Sequence, residues 1–238
     1  MIATLEAVRP PGRVLQPTRR LVVELAGPAA AGKTSLLLAL GGGDRQLHAG
    51  LRVPRHMHIA TALSLAPTFL ALHRPYGGLL RKEMKRITYL GSLSRLLQDG
   101  RPTQDGAVIL DEGAVYMLAR LQVFGADRIR SAAYARWWRG AIEAWARMLD
   151  LIVWLDAPDP ILRARLRGRR QPHPAKALPD DGIDRFIATY RESYRRVVRA
   201  LVEARGPEVL VIRTDRESVA QIARRIEARV RELEATGS

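Results

Sequence analysis

The sequence predicts an α/β fold, a parallel sheet with helices packed on both faces. Three observations carry this. Short, almost wholly apolar runs recur at Leu21-Val22-Val23-Glu24-Leu25-Ala26, Ala107 to Leu110, Leu151 to Leu155 and Val209 to Ile212. Longer segments of helical character separate them, and strands buried on both faces need such crossovers to run parallel. The first run ends in a glycine-rich turn that leads into a helix.

Taken in order, residues 1–20 read as a tail or edge extension and 21–238 as one domain. Leu21 to Ala26 is the first strand, and Thr34 to Leu40 a helix ended by Gly41-Gly42-Gly43. Leu51-Arg52-Val53 is a candidate second strand closed by Pro54. Ile59 to Leu72 and Leu79 to Leu97 read as helices around the Pro75-Tyr76-Gly77-Gly78 turn. Ala107 to Leu110 is a strand that ends at Asp111-Glu112-Gly113. Helices over Ala114 to Phe124 and Asp127 to Met148 follow. The second of these carries Trp137, Trp138 and Trp145, read as core packing. Leu151 to Leu155 is a strand, Asp159 to Leu166 a helix, Ile183 to Ala204 a long helix, Val209 to Ile212 a strand, and Ser218 to Leu233 an amphipathic helix. In such sheets ligands bind beyond the C-terminal strand ends. Gly27 to Ser35, Asp111, Glu112 and Asp156 all fall there.

Composition narrows the function. With 47% hydrophobic and 26% charged residues the chain is ordinary globular material. No apolar run approaches the roughly 18 residues of a membrane span, and the first residues lack a signal-peptide core, so a cytoplasmic protein is expected. Cysteine is absent, which excludes disulfides, thiolate metal sites and a cysteine nucleophile. The formal charge is +15, and all but four of the 39 basic residues are arginine. Codon bias explains the arginine preference but not the shortage of acids. A nucleic-acid partner is the less favoured explanation, because no recognition motif accompanies the charge. A small anionic substrate would be steered by the same field. A homodimer is compatible with the sequence, which does not fix the oligomeric state.

Gly27-Pro28-Ala29-Ala30-Ala31-Gly32-Lys33-Thr34 matches G-x-x-x-x-G-K-[ST] at every position, between a predicted strand and a predicted helix. Backbone N–H groups of Ala30, Ala31, Gly32, Lys33, Thr34 and Ser35 would point inward at a phosphate, helped by the positive end of the helix. Gly27 and Gly32 permit backbone that a Cβ would hinder. Lys33 would reach the β- and γ-phosphates of ATP, and the Thr34 hydroxyl would ligate Mg²⁺. At the next strand end, Asp111 can hold Mg²⁺ or accept a proton from an acceptor hydroxyl, and Glu112 can take the other role. An acid here also suits the start of the helix near Ala114.

These motifs, with Val153-Trp154-Leu155-Asp156-Ala157-Pro158, the arginines from Arg163 to Arg170 and Asp184-Arg185-Phe186 ahead of Tyr190 and Tyr194, resemble the nucleoside and nucleoside monophosphate kinase family, thymidylate kinases most closely. The resemblance spans roughly residues 20–235. It implies a three-layer P-loop NTPase fold with a five-stranded parallel sheet, a helical acceptor region over 54–104 and an Arg-rich lid over 163–182. Lid arginines of such kinases close over the nucleotide and stabilise the transferring phosphoryl group. Arg163, Arg165, Arg167, Arg169 and Arg170 are therefore candidates. On a continuous helix Arg163, Arg167 and Arg170 share a face, and Arg169 is assigned to the nucleotide.

One departure matters. Thymidylate kinases usually carry Asp-Arg where this chain has Asp111-Glu112, and that arginine helps hold the acceptor's phosphate. Glu112 would repel it. Either another cation substitutes, from Arg81, Lys82, Lys85 or Arg86, or the acceptor is a neutral hydroxyl compound. Tyr116, one turn beyond Glu112, can touch an acceptor or pack in the core. The expected activity is thus transfer of the γ-phosphate of ATP to a nucleoside, nucleotide or other hydroxyl metabolite. The alternatives are a P-loop ATPase or nucleotide switch acting on nucleic acid or a protein partner, and a nucleotide binder without catalysis.

Overall fold

A computed structural model describes residues 20–41, 48–49, 53–73, 81–99, 107–124 and 131–237. The elements run β1 (Leu21–Ala26), α1 (Lys33–Gly41), β2 (His48–Ala49), α2 (Arg55–Ser64), α3 (Ala66–His73), α4 (Arg81–Asp99), β3 (Ala107–Leu110), α5 (Ala114–Phe124), α6 (Ala132–Met148), β4 (Leu151–Asp156), α7 (Asp159–Gly168), α8 (Asp180–Glu203), β5 (Glu208–Arg213) and α9 (Val219–Gly237).

Four parallel strands of four to six residues, in the order β3-β1-β4-β5, form the body of the sheet. The expected fifth strand is reduced to the two-residue β2, which pairs His48 with Val108 and Ala49 with Ile109 at the β3 edge. Its expected position at Leu51-Arg52-Val53 is not supported: Val53 is irregular, and residues 51–52 lie outside the described set. Residues 1–19 of the expected tail, and Gly42-Gly43, Pro75 to Gly78 and Asp127 to Arg130 of the expected turns and helix start, lie outside it too.

Strand alternation divides the core into two layers. Leu21, Val23 and Leu25 join Leu36, Leu40, Leu162, Ile222 and Ile226 on the face covered by α1, α7 and α9. Val22 and Ala26 face the opposite layer, with Leu90, Leu118, Trp145, Trp154 and Tyr194 from the sheet and from α4, α5, α6 and α8. Trp137 and Trp138 are partly buried against that layer, where the sequence reading places them.

The expected helix from Ile59 to Leu72 is two helices with a break at Leu65. Pro67 is the cause: it lacks an N–H and its ring crowds the carbonyl four residues back. Helix α6 begins at Ala132, where the Ser131 side chain accepts the Tyr134 N–H at 3.0 Å as an N-cap. Among the described residues no helix is long and apolar enough to cross a membrane.

Candidate active site

The turn after β1 has the geometry of an anion-binding loop. Gly27 lies at φ 139°, Ala30 at φ 64° and Gly32 at φ 98°. A Cβ on Gly27 would sit 2.1 Å from the Leu155 carbonyl oxygen, so β1 and β4 can approach here only through glycine. Helix α1 begins at Lys33, and its first intrahelical bond, Leu36 N–H to the Gly32 carbonyl, spans 3.0 Å. In the loop before it the Ala31 N–H donates to the Pro28 carbonyl at 3.4 Å, while the first N–H groups of α1, from Lys33 to Ser35, lie at the positive end of the helix, where an anion would sit.

Lys33 folds back over this loop. Its Nζ donates to the Gly27 carbonyl at 2.7 Å and to the Pro28 carbonyl at 2.9 Å. The side chain is half-buried but the ammonium is enclosed. Desolvation pulls its pKa down to about 8, against the opposing pull of Asp111, with Arg169 reinforcing the fall and Glu112 resisting it. Lys33 is thus within electrostatic reach of both carboxylates and of Arg169.

These residues line a single cleft of about 1220 Å³. Its walls include Ala30 to Ser35, Asp111, Glu112, Tyr116, Arg120, Arg165, Arg169, Arg170, Phe186 and Tyr190. Asp111 is partly buried there, while Glu112, Thr34 and Ser35 are exposed. Glu112 reaches solvent, yet the cleft wall desolvates its carboxyl and raises its pKa; Asp111 adds to the rise, and Arg120 and Lys33 oppose it.

The arginines of the expected lid separate into two groups. Arg169 and Arg170 line the cleft, as does Arg165. Arg165 donates to the Thr214 hydroxyl and carbonyl at 2.8 Å each, and so bridges α7 to the turn after β5. Arg163 and Arg167 are turned away. Arg163 donates to Asp184 at 2.7 Å. Arg167 donates to the carbonyls of Lys176 and Leu178 and to Asp180, at 2.7–2.9 Å. The shared helix face expected for Arg163, Arg167 and Arg170 does not exist, because α7 ends at Gly168 and Arg170 lies in the coil beyond.

Asp156, which sequence position had set among the ligand-facing groups, points into the fold. It accepts a fork from Arg191 on α8 and the N–H of Ala157 at 2.9 Å. Two other residues of the site escape the sequence reading. Arg120, on α5, donates to the Tyr116 hydroxyl and lies over the Tyr116 ring, 5.3 Å from its centre. Nothing in the pattern singles it out beyond its place one turn after Tyr116.

Glu24 is the second. It is the one charged residue of β1, 0% exposed, on the face that packs against α5. Its carboxylate accepts the N–H groups of Val115 and Tyr116 at 3.0 Å each. Burial raises its pKa to about 7; the N–H donors of Val115, Tyr116 and Ala114 restrain the rise, and Asp111 adds to it. A Cβ on Gly113 would lie 2.5 Å from Glu24 Oε2, so the glycine makes room for the carboxylate. A lone acid in an otherwise apolar buried run was the available signal.

The oxygen donors suit a hard cation. Thr34 and Asp111 line the same cleft. Among the described residues no group of three or more His, Cys, Asp or Glu side chains is arranged to hold a metal. Magnesium takes one or two protein oxygens and completes its shell with phosphate and water; Thr34 and Asp111 are the residues that would hold it.

Among solved structures the fold matches that of a deoxyadenosine kinase from M. mycoides, determined with dCMP and dCDP. The TM-score is 0.52 at 10% identity, covering 90% of this chain and 100% of that one. It also matches the YorR protein of Bacillus subtilis, determined with phosphorylated GDP, with a TM-score of 0.50 at 18% identity over 88% of this chain and 95% of that one. No protein-family profile matches the chain, nor does any curated protein. Sheet order, glycine loop and these likenesses define a P-loop α/β protein. Its fold is the one it shares with that deoxyadenosine kinase and with YorR.

Proposed function

We propose that the protein transfers the γ-phosphate of ATP to a small acceptor: a nucleoside, a nucleotide or another hydroxyl metabolite. The observation that carries this is the convergence of Lys33, Thr34, Asp111, Glu112, Arg169 and Arg170 on one cleft. At about 1220 Å³ the cleft exceeds the roughly 300–1,000 Å³ of an ordinary single-ligand pocket, which leaves room for donor and acceptor together.

The loop from Gly27 to Ser35 holds the donor's phosphates by its N–H groups. Lys33 exchanges its two loop carbonyls for phosphate oxygens. Arg169 and Arg170 bring positive charge to the transferring group, where guanidinium forks suit phosphate oxygens. Thr34 and Asp111 would hold magnesium, which would supply positive charge against the phosphates. Glu112 takes the proton of the acceptor hydroxyl: it lines the same cleft, and burial and the nearby Asp111 raise its pKa, which makes it the stronger base. The acceptor oxygen bonds to phosphorus, the bond from phosphorus to the bridging oxygen breaks, and ADP leaves. The resemblance to thymidylate kinases belongs to this reading, with Glu112 as its main departure. Arg120, whose charge reaches Glu112, is a cation on the acceptor side, and Arg86, one of the four cations expected there, lies within electrostatic reach of Arg120, Tyr116 and Tyr190.

An ADP-release screen over nucleosides, nucleoside monophosphates, sugars and aminoglycoside-like compounds tests the reading. Acceptor-dependent release that vanishes in a folded Lys33→Ala variant is the expected result. Release that ignores every acceptor but responds to RNA or DNA would replace it with a nucleic-acid-stimulated ATPase.

A further inference from the structure

Glu24 holds both ends of one short turn. In the β1–β3 ladder its backbone stands opposite Leu110, the residue just before Asp111. Its side chain takes the N–H groups of Val115 and Tyr116, just after Gly113. Asp111, Glu112 and Gly113 are therefore clamped from both sides by one residue. That residue lies three positions before Gly27, on the strand that feeds the phosphate loop.

A fully buried carboxylate among valines and leucines is costly unless its oxygens are satisfied. Here the donors are N–H groups at the positive end of α5, so the helix start is drawn onto the strand. The absent Cβ of Gly113 lets the turn close over the carboxylate. A leucine at position 24 would fill the space and leave two N–H groups without acceptors. The arrangement thus fixes the height and direction of the Asp111 turn relative to Lys33 and Thr34.

We propose that Glu24 is a positioning residue that registers Asp111 and Glu112 against the phosphate loop, so that magnesium and nucleotide bind as one unit. This rests on the assignment of Thr34 and Asp111 to magnesium, but not on phosphate transfer. Outer groups that orient a metal ligand are worth about 10–100-fold in metal affinity, which sets the size of effect to look for.

The test is calorimetric binding of a non-hydrolysable ATP analogue to the full chain, with magnesium and with EDTA. Wild-type protein should bind more tightly with magnesium. Glu24→Gln keeps the size of the side chain but turns one acceptor into a donor. It should cut the magnesium enhancement about tenfold while leaving affinity in EDTA unchanged. Gly113→Ala keeps the carboxylate but pushes it aside, and should give the same selective loss. If Glu24→Gln does not fold, Gly113→Ala decides.

A merely structural role would lower the thermal midpoint and leave the enhancement intact. Enhancement retained in the folded variants, or affinity lost equally with and without magnesium, overturns the proposal. No magnesium enhancement in the wild type removes the Asp111 assignment and the proposal together. Nucleotide binding without any phosphate transfer counts against the kinase reading alone.

Discussion

Arg191 and Asp156 form a forked ion pair that ties α8 to the end of β4. Nε reaches Asp156 Oδ2 at 3.0 Å and Nη2 reaches Oδ1 at 3.1 Å, while Nη2 also bonds Asp159 at 2.6 Å. Side-chain exposures of 13% for Arg191 and 2% for Asp156 make this an interior pair. Removing one partner strands a buried charge. Arg191→Ala should therefore cost about 3–5 kcal/mol in urea unfolding. Arg191→Lys should recover only part, since a lysine cannot make the fork. A loss below about 1 kcal/mol would show that the pair behaves like a surface contact.

The two groups of arginines in the segment from Arg163 to Arg170 should separate in kinetics. Arg170→Ala and Arg169→Ala are expected to lower kcat by about a hundredfold or more, the scale for losing a donor at developing charge. Arg163→Ala and Arg167→Ala should lower the thermal midpoint and leave kcat near wild type, because their bonds go to Asp184, Asp180 and the carbonyls of Lys176 and Leu178. Equal kcat losses in all four variants would contradict this division.

Nucleotide binding should take up protons in mildly alkaline solution. Enclosure holds Lys33 at about 8 without a phosphate beside it. A bound triphosphate favours the charged ammonium and lifts that pKa. Above about pH 8 binding must therefore protonate Lys33, and affinity must fall as pH rises. Calorimetry in two buffers of different ionisation enthalpy measures the uptake. Lys33→Arg, charged throughout, should show none.

Glu24 should leave a mark on stability of the opposite sense to most carboxylates. Its folded pKa, about 7, lies above the ordinary value of 4.5. Its stabilising contribution is whole below that ordinary value and is lost as pH rises through about 7. The Glu24→Gln variant lacks this loss. Its thermal midpoint relative to wild type should therefore improve between acid and neutral pH. A constant difference across that range would show that Glu24 titrates normally.

Four of the strands and the loop were legible because they depend on local pattern, whereas the two-residue β2 at His48–Ala49 is too short to show one. Short, almost wholly apolar runs of four to six residues bounded by turn residues suit buried strands, and the match from Gly27 to Thr34 lies between strand and helix as its chemistry requires. Side-chain direction was less legible. Arg163 and Arg167 sit in the expected segment, but whether they meet the cleft depends on where α7 stops, and it ends at Gly168, before Arg170. Asp156 has the position of a ligand-facing acid, and only the arrival of Arg191, 35 residues later, turns it inward. Pro67 signalled the break between α2 and α3, and its effect on the preceding turn outweighs the apolar periodicity that runs across it. Glu24 was hidden inside a run read as apolar, since its partners come from a helix 91 and 92 residues away.

The closeness of Glu24 and Gly113 has a consequence for how the chain can change. With 2.5 Å between a would-be Cβ at 113 and the carboxylate, no side chain can enter at 113 while the glutamate stays in place. Replacing the glutamate alone leaves the α5 N–H groups unanswered and a gap beside the glycine. Substitutions at the two positions are therefore not independent. Shortening the acid at 24 makes room at 113, so a pair such as Glu24→Asp with Gly113→Ala should be tolerated better than the sum of its single changes, and the two sites are expected to drift together or not at all.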